Sequence, residues 1–561
     1  MADLPLLNGV TYFAETDFRG RRQKFGIKDE DRARHVYVIG KTGMGKSTML
    51  ENLAIQDIRN GHGLAFIDPH GATAEKLLDY VPESRVGDVV YFAPFDLNHP
   101  ISFNVMEDVG RDQRHLVVNG LMSAFKKIWG EESWSDRMAY ILTNILLALL
   151  EYPGATLLAV NRMIADKDFR KKVVDNVSDP SVKAYWTDEF AKYTERFAAE
   201  AVPAIQNKIG QFTSNPLIRN IIGQPKSSFD FRKVMDEKKI LIVNLSKGRL
   251  GEGNANLLGS MLITKIYLAA MSRANTSPEL ARRLPPFYFF VDEFQSFANE
   301  SFANILSEAR KYKLALTIAH QYVEQMSEEV RPAVFGNVGT TIAFRVGPLD
   351  AEVFEKIFAP TFTIEDIVNL GRFQFYLSLS IDGVGSPPFS AVALPPIEAP
   401  AQSFREPIIA SSRRLYAAPR EQVEAAIAAW HAPTAKVSPA RPISPPKSAP
   451  PPFVAARSAG ASPDFRRSAS GNLKSELAPT PPKPNVNQPL SLSALRTNQA
   501  EKSTGKHAAD LRQVLAAVQK EAVTPASSAG KPPPKFPPKP AAPFVPKTEV
   551  PEAELRRLIK V

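Results

Sequence analysis

The sequence predicts an α/β fold in which helices cover both faces of a mainly parallel β-sheet. Apolar segments of strand length alternate with helical segments between residues 31 and 395, a long helical stretch interrupts them, and a proline-rich composition follows. Such alternation is typical of a parallel sheet, because its strands are joined by crossover helices. We therefore divide the chain into an N-terminal segment (1–30), two core parts (31–104 and 233–395), an all-helical insertion (105–232) and a C-terminal tail (396–561).

The first core element is a glycine-rich loop between a predicted strand and a predicted helix. Residues 35–52 read HVYVIGKTGMGKSTMLEN and contain the pattern G-x-x-x-x-G-K-[ST]. Glycines let backbone N–H groups converge on a phosphate chain, the lysine reaches the β- and γ-phosphates, and the hydroxyl binds Mg²⁺. The alternative, a glycine turn that binds nothing, does not require both Lys46 and Ser47. The loop predicts a site for ATP or a related nucleotide with Mg²⁺, formed by Gly40, Lys41, Thr42, Gly43, Met44, Gly45, Lys46, Ser47 and Thr48.

Seven further segments have the apolar character of buried strands. They lie at 63–71, 88–94, 238–248, 286–294, 314–321, 340–347 and 373–381. The residues from about 105 to 230 instead read as long helices, which predicts the helical insertion. The phosphate loop and these strands together predict a P-loop core interrupted by a helical module.

Two adjacent carboxylates follow the strand FYFFV. In a parallel sheet this end of the strand lies beside the phosphate loop, so Asp292 is the predicted Mg²⁺ ligand with Ser47, and Glu293 the predicted general base. Without the phosphate loop, a helix N-cap or ordinary loop charges would be the better interpretation. Adjacent Asp and Glu, with no Asn-Lys-x-Asp guanine motif, favour ATP hydrolysis coupled to motion over phosphotransfer or a GTP switch.

Three further polar residues are candidates for catalytic roles. Gln321 ends the next strand, where it is placed to sense the γ-phosphate; the alternative is a turn residue. Arg310 is a candidate arginine finger for a neighbouring subunit, and Arg345 is the second candidate. A surface arginine paired with a carboxylate remains the alternative for both. A finger acting between subunits predicts an oligomeric ring.

Composition limits the class of protein. The chain has no cysteine, which excludes disulfides and thiolate metal sites and suits a cytosolic protein. We identify no secretory signal at the N-terminus, and the longest apolar stretch, at 140–152, is too short and too polar to span a bilayer. We therefore expect a soluble, cytoplasmic protein without a membrane span, recruited to a membrane, if at all, through a partner.

The C-terminal tail differs from the rest in charge and composition. Residues 396–561 contain 24 Lys and Arg against 12 Asp and Glu and more than half of the 47 prolines, whereas residues 1–395 have a net charge of −2. Such a segment buries too little apolar surface to offset its ordering entropy, so we expect it to be disordered apart from short helical islands at 506–522 and 551–561. A solvated linker, a nucleic-acid contact and a partner-docking segment remain open as its role.

Six segments, in this order, resemble the HerA/FtsK superfamily of P-loop ATPases, most closely its conjugation and type IV secretion coupling-protein branch. They are HVYVIGKTGMGKST, FIDPHG, VNLSKG, FVDEFQSF, ILSEARKYKLALTIAHQ and GNVGTTIAFRVG, within about 20–385. The resemblance implies a RecA-like core, a hexameric ring and ATP-driven DNA pumping, often of single strands attached to a relaxase. It implies the same roles for Lys46, Ser47, Asp292, Glu293 and Gln321, and aligns Asp68 with an acidic residue after the second strand. Typical members carry N-terminal transmembrane helices that this sequence lacks.

These observations predict an ATP-driven DNA translocase that delivers DNA, or a relaxase–DNA complex, to a secretion channel. Its expected partners are DNA, channel or relaxosome proteins, and further copies of itself in a homo-hexamer. Two alternatives remain open. One is a secretion or pilus-assembly ATPase that moves protein, and the other is a recruitment adaptor whose nucleotide site controls assembly.

Overall fold

A central β-sheet organises the protein. The computed structural model describes residues 9–17, 22–107, 109–193 and 195–431, which belong to one compact unit. Their strands are β1 (Val10–Thr16), β2 (Lys24–Lys28), β3 (Val36–Ile39), β4 (Gly63–Asp68), β5 (Val89–Phe92), β6 (Ile240–Asn244), β7 (Phe287–Val291), β8 (Leu314–His320), β9 (Thr340–Phe344), β10 (Gln374–Ser378), β11 (Ser380–Ile381), β12 (Val384–Gly385) and β13 (Phe389–Ala393).

Eleven of these strands form one sheet in the order β2-β1-β13-β10-β9-β3-β8-β7-β4-β6-β5. The seven from β9 to β5 are parallel, and the other four pair antiparallel. This confirms the predicted α/β class with a mainly parallel sheet. The N-terminal segment contributes β1 and β2 to the same sheet, which its short, mixed sequence did not predict.

Both faces of the sheet are buried. In β3, Tyr37 and Ile39 belong to one hydrophobic cluster, and Val36 and Val38 belong to a second on the opposite face. Successive side chains of a strand point to opposite faces, so a strand covered on both sides is apolar throughout. The continuous apolar run before the phosphate loop follows from this position in the sheet.

The segment between β5 and β6 is helical in its described part. Before it come α1 (Asp29–Arg32), α2 (Lys46–Arg59) and α3 (Ala72–Asp79). The segment itself contains α4 (Arg114–Trp129), α5 (Asp136–Glu151), α6 (Ala159–Ala165), α7 (Lys167–Asn176), α8 (Pro180–Ala184), α9 (Glu195–Thr213), α10 (Pro216–Ile222) and α11 (Phe231–Asp236). We call α4–α11 the helical module. Its apolar residues join the sheet cluster that contains Tyr37, so the module packs against the core.

The remaining core helices connect the later strands. They are α12 (Lys247–Leu250), α13 (Glu252–Met271), α14 (Pro278–Arg283), α15 (Glu300–Glu308), α16 (Val330–Asn337), α17 (Pro348–Phe358) and α18 (Ile364–Val368). Among the described residues, one helical stretch, Glu252–Asn275, is long and apolar enough to cross a membrane, but 72% of its apolar window is buried inside the protein. α13 packs against α4, so its apolar surface faces other helices.

The folded part extends further than we predicted. We expected disorder from residue 396, but α19 (Arg405–Tyr416) and α20 (Arg420–His431) pack on the core. Ile408 is buried with the sheet residues, and Val423 and Ile427 pack with Leu158 of the module. The proline and charge averages of the whole tail concealed these two amphipathic helices. The segments beyond His431, including both predicted helical islands, lie outside the described residues.

Candidate nucleotide-binding site

The glycine-rich loop leaves β3 and leads directly into α2. A β-carbon added at Gly40 would lie 2.5 Å from Cβ of Phe344, and Gly45 has a φ of +115° at the N-cap of α2. Neither position tolerates an L side chain without strain. The geometry therefore explains why glycine occupies these two positions, and it aims the first N–H groups of α2 into the loop.

The lysine of the motif lies inside the loop. Lys46 is 5% exposed, and its Nζ donates to the carbonyl oxygens of Gly40 at 2.6 Å and Lys41 at 3.3 Å. Burial lowers the pKa of Lys46, and the nearby carboxylates of Glu293 and Asp292 act in the opposite direction. A buried ammonium group beside a row of backbone N–H groups forms a binding site for an anion, because all of these groups donate hydrogen bonds.

The serine of the motif meets the acidic pair from β7. Ser47 Oγ donates to Asp292 Oδ2 at 3.0 Å. Burial, together with the charges of Glu293 and Asp68, raises the pKa of Asp292 to about 6, although the hydrogen bond from Ser47 acts in the opposite direction. A divalent cation would offset this crowding of buried negative charge, so the donor set fits Mg²⁺.

No group of three or more His, Asp or Glu residues suited to a metal occurs in the part of the chain that the structure describes. Ser47 Oγ and Asp292 Oδ2 are two oxygen donors for such a cation. Mg²⁺ in phosphate-binding sites is typically bound by few protein groups together with water and phosphate oxygens. The Ser47–Asp292 pair matches that arrangement.

A chain of hydrogen bonds joins the loop to the second carboxylate. Thr42 Oγ1 donates to Gln321 Oε1 at 2.9 Å, and Gln321 Nε2 donates to Glu293 Oε1 at 2.6 Å. Glu293 is 9% exposed and has a left-handed backbone with a φ of +47°. Strained backbone of this kind is common at functional sites. The structure thus brings Gln321 and Glu293 together beside the phosphate loop.

Asp68 has a local structural role. Its carboxylate accepts the N–H of His70 at 2.8 Å and that of Ala74 at 2.9 Å, where α3 begins. These contacts fit the alternative that its carboxylate caps the turn PHG. Asp68 still influences the site through its charge, which contributes to the raised pKa of Asp292.

The two candidate fingers lie at opposite ends of the parallel strands, Arg345 after β9 and Arg310 before β8. Arg345 follows β9, and its backbone carbonyl accepts the N–H of Lys41 at 2.9 Å. The backbone of Arg345 therefore contacts the phosphate loop of its own chain. Arg310 is exposed in the turn Ala309–Tyr312 before β8, near His35, which precedes β3. Because β8 and β3 are parallel, the length of β8, about 20 Å, separates Arg310 from the phosphate loop of its own chain.

The sequence matches a known protein family over more than half of its length. The model for the type IV secretion-system coupling protein DNA-binding domain matches residues 24–360. The chain belongs to this family. The phosphate loop, the Asp292–Glu293 pair and Gln321 lie inside the matched residues, whereas α19 and α20 lie beyond them. The match confirms the resemblance to the coupling-protein branch.

Two individual proteins extend the comparison. The type 4 coupling protein DotL of Legionella pneumophila is 20% identical over 406 residues, which are 61% of this chain and 50% of DotL. The chain thus spans about half the length of this curated relative. The plasmid coupling protein TrwB, solved in complex with a non-hydrolysable GTP analogue, superimposes with a TM-score of 0.51 at 14% identity, covering 68% of this chain and 90% of TrwB. At that identity the likeness shows a shared fold.

Two residues at the site escaped the sequence analysis. Gln295 donates its amide to Glu293 Oε2 at 2.5 Å, and Phe373 touches the phosphate loop. Gln295 follows the acidic pair in a turn, where a polar residue is ordinary. Phe373 precedes β10, whereas the sequence predicts a strand that begins at residue 373. Neither residue carries a local sequence signal, because its position depends on the folded sheet.

Proposed function

We propose that this chain is a coupling ATPase that hydrolyses ATP with Mg²⁺ to move DNA, delivering DNA or a relaxase–DNA complex to a type IV secretion or conjugation channel. The observation that carries the proposal is the 3.0 Å hydrogen bond between Ser47 and Asp292, with Glu293 next to it. Asp292 is the proposed metal ligand and Glu293 the proposed base. Both lie within the residues that match the coupling-protein DNA-binding domain family.

Nucleotide binding is assigned to the loop from Gly40 to Thr48. Backbone N–H groups and the N-terminus of α2 surround the phosphates, and Lys46 exchanges its carbonyl contacts for phosphate oxygens. Ser47 and Asp292 would hold Mg²⁺, which would supply positive charge to offset that of the phosphates. Asp292 must lose its proton for this role, and the cation lowers its raised pKa.

Hydrolysis is assigned to Glu293 as the general base. Its carboxylate accepts hydrogen bonds from both Gln321 and Gln295, so neither oxygen is without a donor. Each oxygen keeps a further lone pair, so Glu293 can accept a proton from water while both amides hold the carboxylate in place. Gln321 is also bonded to Thr42, and it therefore links the proposed base to the phosphate loop.

We propose that the chain acts as a homo-hexameric ring, and the exposed position of Arg310 supports contact with a neighbouring subunit. Arg310 lies too far from the site of its own chain to reach its phosphates, and it is exposed. An arginine from the adjacent subunit would stabilise the transition-state charge, a recurring role in phosphoryl transfer. Arg345 is then assigned to the site of its own chain.

Recruitment to the membrane is assigned to partners. We propose that channel or relaxosome proteins bring a cytoplasmic ring to the secretion apparatus. The helical module is the candidate surface for them, since none of the proposed site residues belongs to it.

The test is the steady-state rate of ATP hydrolysis of the full chain, with and without single- and double-stranded DNA, at low and moderate salt. Glu293→Gln protein provides the blank. Several-fold stimulation by DNA that declines with salt is expected, because phosphate contacts release counterions. Hydrolysis that is robust and indifferent to DNA would overturn DNA as the moving substrate and favour protein cargo.

A further inference from the structure

The aromatic ring of Phe373 is held in an unusual place. The residue is 39% exposed although it is a large apolar side chain, and its φ is +68°, a conformation that bulky residues rarely adopt. Its carbonyl oxygen accepts the N–H of Ala393 at 2.9 Å, which anchors it to β13. The sheet thus presents an exposed ring at a fixed position, and an observed backbone outlier of this kind points to function.

The ring lies directly against the phosphate loop. A β-carbon added at Gly45 would lie 3.0 Å from Cδ1 of Phe373 and 3.6 Å from its Cε1. The guanidinium of Arg372 lies 4.7 Å from the centre of the ring. The end of the loop that leads into α2 therefore has an aromatic ring and a cation on one side.

Sheet order determines which part of a nucleotide meets this ring. The phosphate loop follows β3, whose neighbours are β8 on one side and β9 on the other. The acidic pair and Gln321 end β7 and β8, so a γ-phosphate lies toward that side. Phe373 directly precedes β10, which pairs with β9 on the opposite side. A bound nucleotide therefore extends from the catalytic carboxylates toward Phe373.

We propose that Phe373, with Arg372 beside it, is the platform on which the base of the bound nucleoside triphosphate stacks. The inference rests on the proposed nucleotide site and adds to it the group that holds the base. Stacking uses the π-face that every base has, so the platform favours nucleotides over inorganic polyphosphate without selecting adenine over guanine. Arg372 keeps the ring in place through its cation–π contact.

The experiment compares two ligands that share a triphosphate. Binding of ATP and of inorganic tripolyphosphate, both with Mg²⁺, is measured by calorimetry on the full chain. Phe373→Ala should weaken ATP binding about tenfold and leave tripolyphosphate binding unchanged. The affinity for GTP should fall by the same factor as the affinity for ATP. Tyr140→Ala, which removes another exposed aromatic residue from the helical module, is the matched control and should change neither.

A second variant guards against misfolding. Phe373→Trp should keep the affinity for ATP, and its added fluorescence should be quenched by ATP but not by tripolyphosphate. Equal weakening of both ligands in Phe373→Ala, or no weakening of either, would overturn the platform, as would a tryptophan signal that does not distinguish them. Lys46→Ala separates the two proposals: if it still binds both ligands, the nucleotide site itself is wrong.

Discussion

The amide of Gln321 donates a 2.6 Å hydrogen bond to the carboxylate of Glu293, and its carbonyl oxygen accepts a 2.9 Å bond from the hydroxyl of Thr42. One side chain thus links the end of β8 both to the proposed base and to the phosphate loop. We propose that this link couples phosphate occupancy to the position of the base.

Replacing Gln321 should impair catalysis more than binding. Gln321→Ala should lower kcat at least tenfold, because a mispositioned base loses much of its contribution, and should change the Kd for ATP less than threefold. Thr42→Val removes only the link to the loop and should have a smaller effect on kcat. Steady-state kinetics and equilibrium binding measure both quantities, and a raised KM at unchanged kcat would show that Gln321 only binds substrate.

Mixing two inactive variants should restore activity if Arg310 acts across subunits. Arg310→Ala and Glu293→Gln subunits mixed at equal amounts should yield complete sites in about a quarter of random pairings, since one subunit supplies the base and its neighbour the arginine. The ATPase rate after mixing measures this. Lys311→Ala, which removes an exposed neighbouring cation, should keep full activity.

The double variant Glu293→Gln with Arg310→Ala is the control for that mixture. It should rescue neither single variant. No recovery in the mixture of single variants would instead assign the finger to Arg345 or to groups of the same chain.

The raised pKa of Asp292 makes both stability and Mg²⁺ binding depend on pH. Because the folded-state pKa, about 6, exceeds the unfolded value, the protonated carboxyl favours folding at low pH, and this contribution is lost as the pH rises through 6. Asp292→Asn should therefore stabilise the nucleotide-free protein at pH 7 by up to about 3 kcal/mol. The gain should shrink at pH 5, as thermal unfolding at both pH values would measure.

Mg²⁺-dependent nucleotide binding should show the opposite trend. It should weaken below pH 6 in the natural chain, because the proton competes with the cation for Asp292. ADP binding in the presence of EDTA serves as the control and should vary less over the same range. Equal pH dependence with and without Mg²⁺ would contradict the assignment of Asp292 as a metal ligand.

The corrected boundary predicts different outcomes for two truncations. A chain ending at 431 should retain basal ATPase activity and its melting temperature, whereas one ending at 395 loses α19 and α20 and exposes the surfaces that they bury. Burial of three side chains, Ile408, Val423 and Ile427, contributes about 3 kcal/mol or more to the free energy of unfolding. Circular dichroism on heating measures the difference.

Point variants in the full chain test the same boundary without truncation. Ile408→Ala should destabilise by about 2–4 kcal/mol, and Leu415→Ala, on the exposed side of the same helix, should have little effect. Equal melting of the 395 and 431 truncations would show that the two helices contribute nothing to the fold.

Local patterns predicted which residues would lie together better than they predicted where the folded part ends. The contact of Ser47 with Asp292 was predictable because both residues follow apolar strands whose carboxyl ends lie on the same side of a parallel sheet. The separation of Arg310 from its own loop was not, since it depends on β8 and β3 running parallel side by side. The contact between Phe373 and Gly45 likewise joins residues that only the sheet order brings together.

The measurement that most directly tests the central claim is displacement of streptavidin from the end of biotinylated DNA by the full chain, with single- and double-stranded tracks. The account predicts ATP-dependent displacement on at least one track by the natural chain and none by Glu293→Gln. Vigorous ATP hydrolysis without displacement on either track would contradict a DNA motor.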